Sequence, residues 1–227
     1  LESWKPMNLY EALYTTRAMR RLKPDPIPHA VQARILDAAV RAPSGGNTQL
    51  WRFLLVDDPI LRDSLGEIYR NCMRQLWEGP YAARIASAEA DPDAGASKET
   101  RRLVGSAQYL ADHFQETPLL MFAFAQSDSS GGSIFPAVWS AMLAARAEGI
   151  GSCMTTILGF RRDEVFALLG VPADAGWHMA CCVTFGYPLG RWGVAKRQPA
   201  HEVAFRNCWE QPIGFEAPTP LWSGEAS

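Results

Sequence analysis

The sequence predicts a β-sheet covered by helices, α+β or α/β, in a single domain. Three observations carry that expectation. Short apolar runs at Trp51–Val56, 118–124 and 179–185 have strand length and end on turn residues. Segments with helical apolar spacing often lie between them. No internal repeat and no Pro/Gly/Ser linker divides the 227 residues.

In chain order, residues 8–21 read as a short amphipathic helix, with Leu9, Leu13 and Met19 apolar and Arg17, Arg20 and Arg21 at its basic end. Pro24, Pro26 and Pro28 form a stiff connector. A helix is expected over 28–40, from Val31, Ile35, Ala38 and Ala39. Pro43 ends it. The turn Ser44-Gly45-Gly46-Asn47-Thr48-Gln49 then gathers side-chain donors and acceptors around two glycines, directly before the aromatic first strand. A helix follows over 59–76. From 77 to 106 the apolar pattern weakens, and this polar stretch is a candidate lid. Residues 118–124 are a buried strand and 126–133 a polar loop. Residues 135–148 form a helix that is apolar almost all round, which places it at the centre of the fold or of a dimer interface. Gly149 caps it. Residues 151–160 read as a small uncharged strand and loop, 162–169 as a short helix, and 179–185 as a third buried strand. A basic loop at 190–199 carries Arg191, Lys196 and Arg197. Residues 211–227 read as an extended tail and 1–8 as a flexible start. Position 1 is Leu, which leaves the native start open, with Met7 one candidate.

Composition narrows the function classes. Apolar residues make up 48% and charged residues 20%, as in a soluble globular protein. The formal net charge of -2 argues against general nucleic-acid binding. No apolar run is long enough to span a membrane, and no secretory signal core is present. The five cysteines, Cys72, Cys153, Cys181, Cys182 and Cys208, include no C-x-x-C pair. They suit a reducing cytoplasm.

The usual catalytic sets are missing. Ser44 and Ser152 lie in no nucleophile elbow. His29, His113, His178 and His201 are scattered, so no metal site is expected. No phosphate-binding glycine motif of the P-loop or dinucleotide type occurs. What remains is two basic clusters, Arg17/Arg20/Arg21 and Lys196/Arg197, and two polar turns, 44–49 and 155–159. That combination suits a ligand with an anionic end and a flat polar heterocycle. A bound redox cofactor would also explain the absent catalytic sets.

Four ordered matches carry a resemblance. Thr16-Arg17-Ala18-Met19-Arg20-Arg21-Leu22 resembles an Arg-Arg-Ser-x-Arg-x-Phe signature. Ala42-Pro43-Ser44-Gly45-Gly46-Asn47-Thr48-Gln49-Leu50-Trp51 resembles an Ala-Pro-Ser-x-x-Asn-x-Gln-Pro-Trp loop. Residues 136–151, with Leu143-Ala144-Ala145-Arg146, resemble a central helix ending in Gly-Leu-Gly. Gly186-Tyr187-Pro188 and Lys196-Arg197-Gln198-Pro199 resemble a strand end and phosphate-site loop. Together these resemble the nitroreductase family of flavoproteins over about residues 9–203.

The resemblance implies an α+β fold with a mixed, mainly antiparallel sheet, and an intertwined homodimer with FMN sites at the interface. Carried over residue by residue, Arg17, Ala18 and Arg20 contact the FMN phosphate or ring edge. Lys196 and Arg197 supply the late basic contacts. Pro43, Ser44, Gly45, Asn47 and Gln49 form the loop that reaches the partner's flavin. Thr155, Thr156, Ile157 and Leu158 line the pocket, and Gly159 offers its N–H near flavin N5. No side chain is expected to be catalytic, because flavin N5 carries the chemistry. The implied reaction is ping-pong hydride transfer from NADH or NADPH to a small flat acceptor such as a nitroaromatic or quinone. Alternatives are dehalogenation, for which Glu78, Tyr81 and Lys98 supply suitable residue types, azoline oxidation, flavin consumption, and non-catalytic FMN sequestration. Departures include Thr16 and Ala18 in place of Arg and Ser, Leu50 in place of Pro, Leu158 where Glu is common, and Trp139-Ser140 in place of Gln-Asn.

Overall fold

The structure, a computed structural model, describes residues 7–216 and 222. Most of the start expected to be flexible (1–6) and two parts of the expected tail (217–221 and 223–227) lie outside the described residues. Four strands form one sheet: β1 (Trp51–Val56), β2 (Leu119–Ala125), β3 (Gly151–Thr155) and β4 (His178–Gly186). Their order is β1-β2-β4-β3 and every pair is antiparallel. The register runs Trp51↔Ala125 to Val56↔Leu120, Leu119↔Phe185 to Ala125↔His178, and Gly151↔Gly186 to Thr155↔Cys182. Among the described residues the one parallel pairing is the bridge Ala18↔Ser152, which lays the chain after the first helix along the outer edge of β3.

Both faces of the sheet are buried, which is why β2 reads as an unbroken apolar run. On one face, Met121, Ala123, Val183 and Phe185 pack against α2 (His29–Ala39) and α6 (Ile134–Ala147). On the other, Leu120, Phe122, Phe124 and Cys182 meet α3 (Pro59–Glu78), α5 (Gly95–Asp112) and α7 (Arg162–Leu169). Asp58 caps α3 by accepting from the Leu61 N–H, with Pro59 at the first turn. The near-uniform apolar surface of α6 fits its central place.

One sequence expectation is corrected. The first helix, α1 (Leu9–Thr15), stops well short of residue 21. Thr15 and Thr16 turn their hydroxyls back onto the carbonyls of Glu11 and Ala12. The sheet then takes the following N–H groups: Met19 donates to the Ser152 carbonyl (2.8 Å) and Lys23 to that of Tyr187 (2.7 Å). Residues 77–106, where the apolar pattern weakens, are largely helical. They hold the end of α3, α4 (Ala82–Ala90) and most of α5. The α4–α5 contact uses small and polar residues, Ala88, Ser97 and Thr100, with Arg84 Nε donating to Thr100 Oγ1 (3.0 Å). An apolar pattern therefore does not mark it.

The first helix is anchored to α6 by charge. Arg146 is buried, and its Nε donates to Thr15 Oγ1 (2.7 Å) and its Nη2 to Glu11 Oε1 (3.2 Å). The Trp192 ring covers the guanidinium at 4.1 Å. No helix among the described residues is long and apolar enough to cross a membrane.

Candidate functional site

The structure gathers the sequence-predicted residues at the two opposite edges of the sheet. At the β3 edge, the 16–23 segment lies against Ser152 and Tyr187. This close approach favours glycine at 151 and 186. A Cβ on Gly151 would stand 3.0 Å from the Met19 Cβ, and one on Gly186 would stand 3.0 Å from the Leu22 Cβ. Just outside this edge, Arg17 Nη2 donates to the Arg191 carbonyl (3.1 Å), and the guanidinium lies beside Gly193. The Ala195 N–H donates to the Tyr14 carbonyl (3.2 Å). The basic loop is thus tied to the end of α1 and carries Lys196 next to that tie. Arg17, Lys196 and Arg197 are exposed, and no ion pair among the described residues uses any of them. Arg17 therefore joins the first basic cluster to the loop that carries the second, at Arg191 and Gly193.

Arg20 takes a different course. Its Nη1 donates to Ser106 Oγ on α5 (3.3 Å). Its charge also reaches Cys153, whose thiol burial pushes above the ordinary value while Arg20 pulls it partly back. Next along β3, Thr155 Oγ1 is 3.2 Å from the buried Tyr69 hydroxyl. Burial raises the Tyr69 phenol pKa, so it stays protonated. A short 3₁₀ helix, Ile157–Arg161, follows. Thr156 and Gly159 are exposed, and Ile157 is half-buried. The Leu158 side chain is turned into the core, so this position presents only backbone to a ligand. The Gly159 N–H donates to the Thr156 carbonyl (3.0 Å), and a ligand there would have to share that donor. An open cleft of about 570 Å³ adjoins Gly159, walled by Gln75, Phe160 and Arg161.

At the β1 edge, the 44–49 turn is a strained but fully tied loop. Gly46, Asn47 and Gln49 have φ of 58°, 54° and 51°. Two non-glycine residues in the left-handed region cost on the order of 1–3 kcal/mol each, and such positions cluster at ligand clamps. Local bonds hold them. The Gln49 N–H donates to Ser44 Oγ (3.1 Å), Gln49 Nε2 donates to Asn47 Oδ1 (3.1 Å), and the Gly45 N–H donates to Ser133 Oγ at the start of α6 (3.2 Å). Pro43, Gly45, Asn47 and Gln49 are exposed.

With neighbouring strands about 4.8 Å apart, the order β1-β2-β4-β3 separates this loop from β3 by roughly 14 Å across the sheet. Arg17 lies a further strand away, beside the Gly151 end of β3, whereas the loop adjoins the opposite end of the sheet. One copy of the chain does not bring the two sets together. Of the residue types noted for a dehalogenase grip, Lys98 lies 3.7 Å from the exposed Asp93, and Tyr81 packs edge-on to Trp77 (5.4 Å). Sequence reasoning missed Tyr69, Ser106 and Ser133, the supports of Thr155, Arg20 and Gly45. Each sits on an element remote in sequence from the residue it holds.

Comparison with known proteins agrees with this geometry. The Nitroreductase family profile matches residues 13–187. Protein DrgA of Synechocystis is 34% identical over 177 residues, covering 74% of this chain and 79% of that protein. A 5,6-dimethylbenzimidazole synthase of Rhodospirillum rubrum is 30% identical over 212 residues, covering 84% and 90%. Among solved structures, the FMN-dependent nitroreductase NfnB from Mycobacterium smegmatis in complex with NADPH aligns with a TM-score of 0.57 at 25% identity, covering 78% of this chain and 86% of that one. The profile match covers all four strands of the sheet and all the motifs up to the end of β4, and on that ground the chain belongs to the nitroreductase family.

Proposed function

We propose that the chain is an FMN-dependent oxidoreductase that works as a homodimer and reduces a flat acceptor, such as a nitroaromatic or a quinone, at the expense of NADH or NADPH. The observation that carries this reading is the split of the site residues between the two edges of the sheet. Each set is built and held, yet neither faces the other within one copy. Two copies placed edge to edge would supply one set each to a shared ligand.

The residues present fit FMN. Arg17, Lys196 and Arg197 are exposed cations without acidic partners among the described residues, suited to a dianionic phosphate. When bound, FMN supplies the two-electron chemistry, taking hydride from the reduced nicotinamide and passing electrons to the acceptor. The chain supplies position and charge. Arg20, held by Ser106, sets a fixed positive charge beside β3, where it would favour electron density on a ring edge. Tyr69 orients Thr155 on the pocket wall. Phe160, exposed beside Gly159, gives the adjoining cleft a flat apolar wall on which a planar acceptor would stack. One solved relative supports this reading, being named as an FMN-dependent nitroreductase in complex with NADPH.

The test is a visible spectrum after reconstitution with FMN, followed by anaerobic titration. Yellow flavin bands should appear, NADPH should bleach them, and a nitroaromatic should restore them. Protein that retains no FMN refutes the reading. Protein that retains FMN but is not bleached by NADH or NADPH is a flavin-binding protein without this activity.

A further inference from the structure

We propose that Arg146, together with Glu11 and Trp192, is a positioning unit for the phosphate clamp, so that it decides how strongly the site prefers FMN to phosphate-free riboflavin. The inference rests on the FMN reading above and adds residues that never touch the ligand.

Arg146 lies in α6, and its side chain is 5% exposed against 8% for Glu11. A charge pair buried to this extent is costly to desolvate, and apolar residues would serve packing as well or better. Burial lowers the Arg146 pKa, and Glu11 draws it back up. Its place in the fold gives the pair a use. Through Glu11 and Thr15 it fixes the first and last turns of α1, and Arg17 follows Thr15 by two residues. Through the face of Trp192 it fixes the start of the basic loop. Trp192 lies between Arg191, whose carbonyl accepts from Arg17, and Gly193, which packs beside the same guanidinium. Two residues beyond Gly193, Ala195 bonds back to Tyr14 of α1. One buried guanidinium therefore holds both strands of the clamp: the segment that carries Arg17 and the segment that leads to Lys196 and Arg197. The bonds and ring contact of this unit reach α1 and the basic loop, so it bears on the phosphate end of the ligand and not on the ring end.

The experiment compares equilibrium affinities for FMN and riboflavin in the wild type, Arg146→Met, Arg146→Lys and Trp192→Ala, with circular dichroism as a fold check. The wild type should prefer FMN by at least about tenfold, the worth of one charge-assisted contact. Arg146→Met should lose most of that preference through weaker FMN binding, with riboflavin affinity unchanged within about twofold. Arg146→Lys, which keeps the charge beside Glu11, should retain more of the preference. Should Arg146→Met not fold, Trp192→Ala, which leaves the ion pair in place and frees the loop, is held to the same criterion. An FMN-to-riboflavin ratio equal to that of the wild type overturns the proposal, whether both affinities fall together or neither changes. Wild-type protein that binds neither flavin refutes the functional reading itself.

Discussion

Thr155 Oγ1 and the Tyr69 hydroxyl are 3.2 Å apart, so α3 reaches beneath the sheet and fixes a side chain of the proposed pocket wall. Tyr69 is 2% exposed and stacked on Phe114 at 4.1 Å. Tyr69→Phe keeps the stack and removes one buried hydrogen bond. The expected loss is about 1 kcal/mol of unfolding free energy, read from urea denaturation. FMN should also bind more weakly, because Thr155 is no longer held. A variant matching the wild type in both respects would show that the bond does neither.

The loop at the β1 edge separates backbone from side chain. Asn47 has φ 54°, and its Oδ1 accepts from Gln49 Nε2. Asn47→Ala removes the carbonyl and strains the backbone, and should reduce FMN affinity by about tenfold with little loss of fold. Asn47→Gly relieves the strain but not the missing side chain. Equal FMN loss in both variants assigns the effect to the side chain. Recovery in Asn47→Gly assigns it to the backbone. Full FMN retention in Asn47→Ala removes the residue from the site.

Alkaline stability follows from the buried thiols. Burial pushes Cys72 up to about 11 and Cys181 up to about 12, and it raises Cys153 and Cys182 as well. In the unfolded chain these thiols ionise near ~8.5. As the pH rises, the unfolded state therefore loses protons first. The stability that depends on neutral thiols is complete below about pH 8.5 and is lost progressively towards about pH 12. Urea midpoints should fall steadily above pH 9. A thiol reagent at pH 8 should find Cys208 in the native protein and the four buried cysteines only after unfolding. A flat midpoint up to pH 10.5 would contradict the burial.

The sequence revealed the elements whose burial repeats at a regular period. The apolar run of β2 and the apolar surface of α6 are visible because both are packed on every side. The helices α4 and α5 were obscured because Ser97 and Thr100 do the burying where apolar residues would have left a pattern. The start of β1, the 44–49 turn and the basic clusters were legible as residue types. Their grouping was not, since the bond from Arg17 to the Arg191 carbonyl joins positions 174 apart. Arg146 gave no sign of its role, because a lone charge in an apolar helix reads the same whether it meets solvent or, as here, Glu11.

The central claim is that each flavin site takes Arg17 from one copy and the 44–49 loop from another. Differently tagged Arg17→Ala and Asn47→Ala chains can be co-expressed, purified as heterodimers and titrated with FMN. If the site is shared, one site of the heterodimer carries both substitutions and the other carries neither. The expected result is one FMN per heterodimer bound with wild-type affinity, while both homodimers bind weakly at every site. A heterodimer with no site of wild-type affinity would mean that each copy builds its site alone, and would contradict the account.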